Sequence, residues 1–135
     1  MQETADGGEA PIDRIHELAL LCARSADEKK AEGIVILDIS RIIPIADYFV
    51  IASGKNKKQV QAIAEEISMR MKAAGLRRIG LEGMDEGTWV CVDYGDIIVH
   101  LFHEDVRAFY ELETLWADAP RVEWQAEAKA EAKGT

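Results

Sequence analysis

The residues best able to do chemistry lie in one short stretch, residues 89–103, which reads WVCVDYGDIIVHLFH. It combines two aspartates around a glycine, one cysteine and two histidines. Such side chains bind metal ions and transfer protons, so the stretch could form a metal site or a catalytic site. Its aromatic residues also favour a surface that holds a partner protein, because aromatic side chains are enriched at protein interfaces.

Geometry argues against a metal centre in this stretch. In a strand, His100 and His103 point to opposite faces because side chains alternate, so the two cannot bind one ion together unless the strand ends between them. Cys91 belongs to no recognised ligand spacing. The sequence has no Gly-x-Ser-x-Gly turn and no cysteine with an evident base nearby, so nucleophilic catalysis is not indicated either. We therefore predict no catalytic residues, no metal ion and no cofactor.

A second motif, SGKNKK at residues 53–58, connects a predicted strand to a predicted helix. A glycine turn followed by lysines at a helix start is typical of phosphate-binding sites. The motif lacks the upstream glycine of a Walker loop, and no Ser or Thr follows Lys55. We interpret it as an ordinary strand-to-helix turn. A small nucleotide- or phosphate-binding enzyme is the alternative function.

Hydrophobic periodicity predicts the elements that position these motifs. Apolar residues at helical spacing predict three helices, and short β-branched runs predict strands and one hairpin. The helices are expected over 11–30, 56–74 and 104–116, the strands at 34–38, 48–52 and 77–81, and the hairpin over 89–102. The order α-β-β-α-β-β-β-α predicts a single α/β domain with a mixed sheet of about five strands flanked by helices. This domain is expected over residues 11–118, between a disordered lead (1–10) and a flexible C-terminal tail (119–135).

The hairpin has two different faces. If Tyr94 and Gly95 form a two-residue turn, Asp93 stands directly opposite Asp96. One face is then purely apolar, and the other carries Trp89, Cys91, Asp93, Asp96, Ile98, His100 and Phe102. Like charges placed opposite each other destabilise a sheet, which makes sense if a cation from a partner binds between them. Alternatively, both aspartates cap the turn through backbone N–H groups.

The charge of the chain is unevenly distributed. The net charge is −9; residues 55–78 hold seven basic and two acidic residues, whereas residues 82–118 hold ten acidic residues and one basic residue. The acidic half would repel nucleic acid and attract a basic protein, although an acidic surface can also serve solubility alone. No apolar run is long enough to span a membrane, and no signal peptide is evident. We expect a cytoplasmic protein with reduced cysteines.

The hairpin and the residues after it resemble a known family. The run from Trp89 to Phe102, followed by Arg107, by YELE at 110–113 and by LW at 115–116, is similar to the signature of the ribosomal silencing factor (Iojap-like) family. Earlier blocks, such as ADYFVI at 46–51, fit in the same order. The resemblance covers roughly residues 12–118.

The resemblance implies a fold similar to nucleotidyltransferases, usually as a homodimer, but without their paired metal-binding aspartates. It implies a non-enzymatic protein that binds the fourteenth protein of the large ribosomal subunit on the intersubunit face. Bound there, such a protein blocks joining of the subunits and represses translation when nutrients are scarce. The contact region of the family maps onto Trp89, Asp93, Tyr94, Asp96, His100 and Phe102.

Overall fold

The computed structural model describes residues 4–110, 114 and 117–125, and the side chains of 14–107, 114 and 117–125. The start of the predicted lead (1–3) and the end of the predicted tail (126–135) lie outside these residues. The helix that was predicted from residue 11 begins at Thr4.

Within the described residues the helices are α1 (Thr4–Glu28), α2 (Lys57–Ala73) and α3 (Glu104–Tyr110), and local sequence features explain the bounds of α2. The side chain of Asn56 caps α2 by accepting a 2.8 Å hydrogen bond from the Gln59 N–H, as its residue type favours. Gly75 (φ 90°) adopts the left-handed conformation that commonly ends a helix.

In the part of the chain that the structure describes, six strands form one mixed sheet in the order β3-β4-β5-β2-β1-β6. Their bounds are β1 (Glu32–Asp38), β2 (Tyr48–Gly54), β3 (Gly80–Glu82), β4 (Trp89–Asp93), β5 (Ile97–His103) and β6 (Arg121–Val122). The central pair β2–β5 is parallel, and the other neighbours are antiparallel. The predicted α/β fold with a mixed sheet is thus confirmed, with one strand more than expected.

The additional strand lies inside the segment 119–135 that was predicted to be a flexible tail. β6 pairs with β1 through Ile36 and Val122. Two residues later, the indole of Trp124 is buried and donates a 3.1 Å hydrogen bond to the Ile34 carbonyl. Residues 119–125 therefore belong to the folded domain.

The two faces of the sheet are covered differently. On the face that we call the helical face, α1 and α2 bury the main core, with Leu20, Ile63 and Val99 among its members. On the opposite face, a smaller cluster packs against Val106 of α3 and Ala119. We call this second side the open face, and at the hairpin it is formed by Trp89, Cys91, Asp93, Ile98, His100 and Phe102.

The predicted register of the hairpin is wrong by two residues. Asp93 pairs with Ile98 rather than with Asp96, and Tyr94 donates a 2.9 Å hydrogen bond to the Ile97 carbonyl across the turn. Gly95 and Asp96 therefore occupy the centre of the turn. Gly95, with φ 88°, supplies the positive φ that a tight hairpin turn needs at its first central position. Because a shift of two residues preserves side-chain alternation, the predicted composition of the β4–β5 faces still holds.

Candidate functional site

An aromatic cluster dominates the open face at the hairpin. The ring centroids of Trp89 and Phe102 lie 4.9 Å apart, and those of Phe49 and His100 lie 4.8 Å apart in an edge-to-face arrangement. Phe102 is fully buried beneath the cluster, whereas Trp89 remains 38% exposed. The cluster therefore presents one large aromatic side chain on a rigid, packed base.

His100 orients Trp89. The indole Nε1 donates a 3.2 Å hydrogen bond to Nδ1 of His100, which must be unprotonated to accept it. Burial lowers the pKa of His100 to about 4, so the neutral ring persists at physiological pH. Its other nitrogen, Nε2, is buried and has no hydrogen-bond partner among the described residues. His100 thus acts as a neutral acceptor that holds the indole in place.

The two aspartates of the hairpin have different roles. The carboxylate of Asp93 accepts a 2.7 Å hydrogen bond from the Gly95 N–H, so the capping alternative is confirmed for this residue. Asp96 is exposed at the tip, and its carbonyl accepts hydrogen bonds from the backbone of Asp47 and Tyr48 at 2.8 and 3.1 Å. The predicted repulsion across the strands does not arise, because the two residues are not paired.

The remaining site residues predicted from the sequence are buried. Tyr94 is only 6% exposed and belongs to the core of the helical face. Phe102 supports Trp89 from below. In the isolated chain, neither side chain offers much surface to a partner. Their assignment as contact residues stays a prediction.

Further carboxylates lie at both ends of the hairpin, near its tip and beyond the end of β5. Burial raises the pKa of Asp47, and the negative charges of Asp96 and Asp38 raise it further. Glu104 and Asp105 are exposed at the start of α3, which follows β5 directly. The hairpin and its surroundings therefore carry a negative field.

Nothing in the described part of the chain resembles a metal or nucleophilic centre. No group of three or more His, Cys, Asp or Glu residues there could hold a metal ion. Burial raises the pKa of Cys91, and it raises that of Cys22 to about 12, so both thiols remain protonated and poorly nucleophilic.

Around the SGKNKK turn at residues 53–58, backbone amides are hydrogen-bonded to side chains of the chain itself. The Gln59 side chain accepts a 2.6 Å hydrogen bond from the Lys55 N–H, and Asn56 accepts one from the Gln59 N–H. Two amides that could bind an anion are thus engaged. The space beside Lys57 is also limited, because a Cβ at Gly87 would lie 2.6 Å from Cγ of that lysine.

Sequence reasoning missed two residues that shape the open face. Phe49 reaches the cluster from β2, and only the parallel pairing of β2 with β5 places it there. Gly83 (φ 82°) lies so close to the Trp89 carbonyl that an added Cβ would be 2.0 Å from that oxygen. The sequence signal that could have identified Gly83 is the Glu82-Gly83 pair before the hairpin.

Comparison with known proteins identifies the family. The family model for "Ribosomal silencing factor during starvation" matches residues 12–135. The chain belongs to this family. A ribosomal silencing factor of Halalkalibacterium halodurans is 48% identical over 107 residues, which cover 79% of this chain and 92% of that protein.

A solved structure and a more distant relative extend the comparison. A crystal structure of a protein from Chromobacterium violaceum superposes with a TM-score of 0.74 at 34% identity, covering 76% of this chain and 86% of that one. The mouse "Mitochondrial assembly of ribosomal large subunit protein 1" is 32% identical over 92 residues, which cover 66% of this chain and 40% of that protein. The expected likeness to nucleotidyltransferases stays a prediction.

The structure also bears on the membrane prediction. Among the residues that it describes, no helix combines the length and the apolar character needed to cross a membrane.

Proposed function

We propose that this chain binds a basic protein of the large ribosomal subunit through its open face, and that it thereby blocks joining of the subunits and represses translation. The observation that carries the proposal is the exposed Trp89, held by His100 on a packed aromatic base. The family named for ribosomal silencing, and a relative named for assembly of the large subunit, support the ribosome as the target.

Trp89 has the properties of an interface anchor. Tryptophan contributes a large share of the binding energy at interfaces where it is exposed in the free protein and buried in the complex. A side chain held in one orientation loses less conformational entropy on binding than a mobile one. The hydrogen bond from Trp89 to His100 fixes that orientation before the partner arrives.

Negative charge at both ends of the hairpin selects the class of partner. Asp96, Asp47 and Asp38 concentrate it at the tip, and Glu104 and Asp105 follow β5 at the opposite end, which carries Trp89. Complementary charge accelerates association and disfavours wrong partners. Ribosomal proteins are generally basic, and the fourteenth protein of the large subunit, which lies on the intersubunit face, is the partner that the sequence resemblance implies.

Occupancy alone explains the inhibition. A folded domain seated on the intersubunit face excludes the small subunit sterically, so the mechanism needs no catalytic step. We propose that the protein acts in this way in the cytoplasm, as a homodimer when free, without enzymatic activity or cofactor.

An order-of-addition experiment tests this mechanism. The protein is added to purified large subunits before or after small subunits, and joining is followed by light scattering. We expect strong inhibition when the protein is added first and resistance of preformed ribosomes. Equal inhibition in both orders would contradict exclusion by occupancy.

Co-sedimentation with large subunits tests the proposed surface. Trp89→Ala should lose binding, whereas the matched control Met69→Ala should retain it. Met69 is 59% exposed on α2, at the helical face, so its truncation removes an exposed apolar side chain away from the open face. Equal binding by both variants would move the docking surface elsewhere.

A further inference from the structure

A groove lies on the helical face, where the end of α2 meets the segment before β3. This groove has a volume of about 530 Å³ and is lined by three basic side chains, Lys72, Arg77 and Arg78, together with Ser68, Leu76 and Tyr94. None of the described residues that line it is acidic. Its size suits a small organic ligand.

The basic side chains of the groove are available to a ligand. Within the described part of the chain, Lys72, Arg77 and Arg78 form no ion pair. All three residues are exposed, and Arg78 makes one long hydrogen bond, 3.4 Å, to the Ser68 hydroxyl. Three unpaired cations at one concavity raise the local potential in a chain whose net charge is −9.

A buried hydroxyl provides the second, independent observation. The Tyr94 oxygen is inaccessible to solvent and makes no well-aligned hydrogen bond to a described residue, although the Ser68 side chain lies close enough to interact with it. Burial raises its pKa, an effect that the nearby Ser68 and Arg78 oppose, so it remains a neutral O–H group. A buried polar group without a partner costs free energy, and that cost is removed when a ligand supplies the partner.

We infer that this groove binds a small phosphorylated molecule, with its phosphate held by Lys72, Arg77 and Arg78 near the Tyr94 hydroxyl. A phosphate has several acceptor oxygens and one to two negative charges, and arginine and lysine are the side chains that bind it most strongly. The Leu76 side chain gives the groove an apolar wall for the organic part of the ligand.

A smaller cavity extends the groove toward α1. It has a volume of about 220 Å³, shares Leu76 and Tyr94 with the first, and adds Arg14 and Asp96 to the lining. A ligand with two phosphates, such as a nucleoside diphosphate, could therefore use Arg14 as well. RNA is disfavoured because its backbone needs an extended basic track, whereas here the basic residues converge on one groove.

Calorimetry on the full chain tests the site with inorganic phosphate, pyrophosphate and a nucleoside diphosphate as probes, with chloride at matched ionic strength as the control. We expect saturable binding of the larger probes and at least about tenfold weaker binding by an Arg77→Ala/Arg78→Ala variant, since charge-assisted hydrogen bonds to the phosphate are lost. The matched control, Lys57→Ala/Lys58→Ala, removes two exposed charges from the other end of α2 and should bind like the parent protein.

Tyr94→Phe separates a ligand contact from a structural role. Because the hydroxyl makes no well-aligned hydrogen bond to a described residue, its removal should leave the melting temperature unchanged or raise it, while weakening probe binding several-fold. The inference is overturned if none of the three probes binds saturably, or if the two double variants lose affinity equally. Tighter binding of single-stranded RNA through the same arginines would also overturn it, and would assign the groove to nucleic acid.

Discussion

Trp89 and His100 lie on neighbouring strands, and the indole N–H of the first donates to Nδ1 of the second at 3.2 Å. The hydrogen bond makes the orientation of the exposed indole depend on a neutral imidazole. Binding by Trp89 and titration of His100 are therefore linked, and the predictions on these two residues follow from that link.

Trp89→Ala should lower affinity for the large subunit by about 2–4 kcal/mol while costing less stability than a core truncation. The indole is 38% exposed, so it contributes less to the core than the fully buried Phe102 beneath it. Trp89→Phe retains the aromatic ring but loses the N–H, and should fall between the parent and the alanine variant. Subunit binding and unfolding are measured on one preparation. A largely unfolded Trp89→Ala variant would make Trp89 a core residue instead.

His100 should make stability depend on pH in the acidic range. Its pKa is 6.5 in the unfolded chain and about 4 in the folded one, so the unfolded chain takes up the proton first as the pH falls. The contribution of His100 to stability is complete above pH 6.5 and is lost progressively toward pH 4, by at most about 3 kcal/mol. Denaturant unfolding from pH 7 to pH 4 measures this loss.

Two variants separate His100 from other titrating groups. His100→Phe should remove most of this pH dependence, whereas His103→Gln, at the end of the same strand, should retain it. If both variants keep the same slope as the parent protein, the loss of stability comes from other groups and His100 is not the sensor.

The hairpin aspartates should respond differently to substitution. Asp93→Ala removes the acceptor for the Gly95 N–H and should cost about 1 kcal/mol of stability, whereas Asp93→Asn keeps an acceptor oxygen. Asp96→Asn should leave the melting temperature unchanged but weaken subunit binding and reduce its salt dependence, because only a charge is removed. Affinities at several salt concentrations provide the measurement. An unchanged salt slope would exclude Asp96 from the contact.

Gly83→Ala should destabilise the domain by about 2–3 kcal/mol. The residue has φ 82°, and its Cβ would lie 2.0 Å from the Trp89 carbonyl oxygen, so both the turn and the start of β4 must move. Gly80→Ala is the control, because its Cβ would meet nothing closer than 3.9 Å. Thermal unfolding of both variants tests the difference, and similar melting temperatures would show that the loop adapts.

The sequence predicts the elements well because their signals are local. The apolar face of α2, from Val60 to Met71, is buried as its helical spacing predicts. The alternation in β4 and β5 likewise separates the apolar face from the face that carries Trp89 and His100. Both patterns depend only on neighbouring residues.

The predictions that fail are those in which a contact depends on residues distant in the chain, or in which two turn positions fit the sequence almost equally well. The turn could be centred on Tyr94-Gly95 or on Gly95-Asp96, and the position that requires a positive φ decides between them. β6 is only two residues long, too short for any periodic signal, and the Trp124–Ile34 hydrogen bond spans 90 positions of the chain. The burial of Tyr94 likewise depends on packing against the helical core.

The position of β6 has a consequence for aggregation. Without it, β1 would be the border strand of the sheet, and backbone groups of Ile36 and Leu37 that β6 now faces would be open to pairing with another chain. At the opposite border, β3 has only three residues and offers little template for such pairing. A chain truncated after residue 118, the predicted domain end, would thus lose Trp124 and uncover an apolar strand prone to intermolecular β-pairing. Residues 119–125 protect the fold against self-association through this edge.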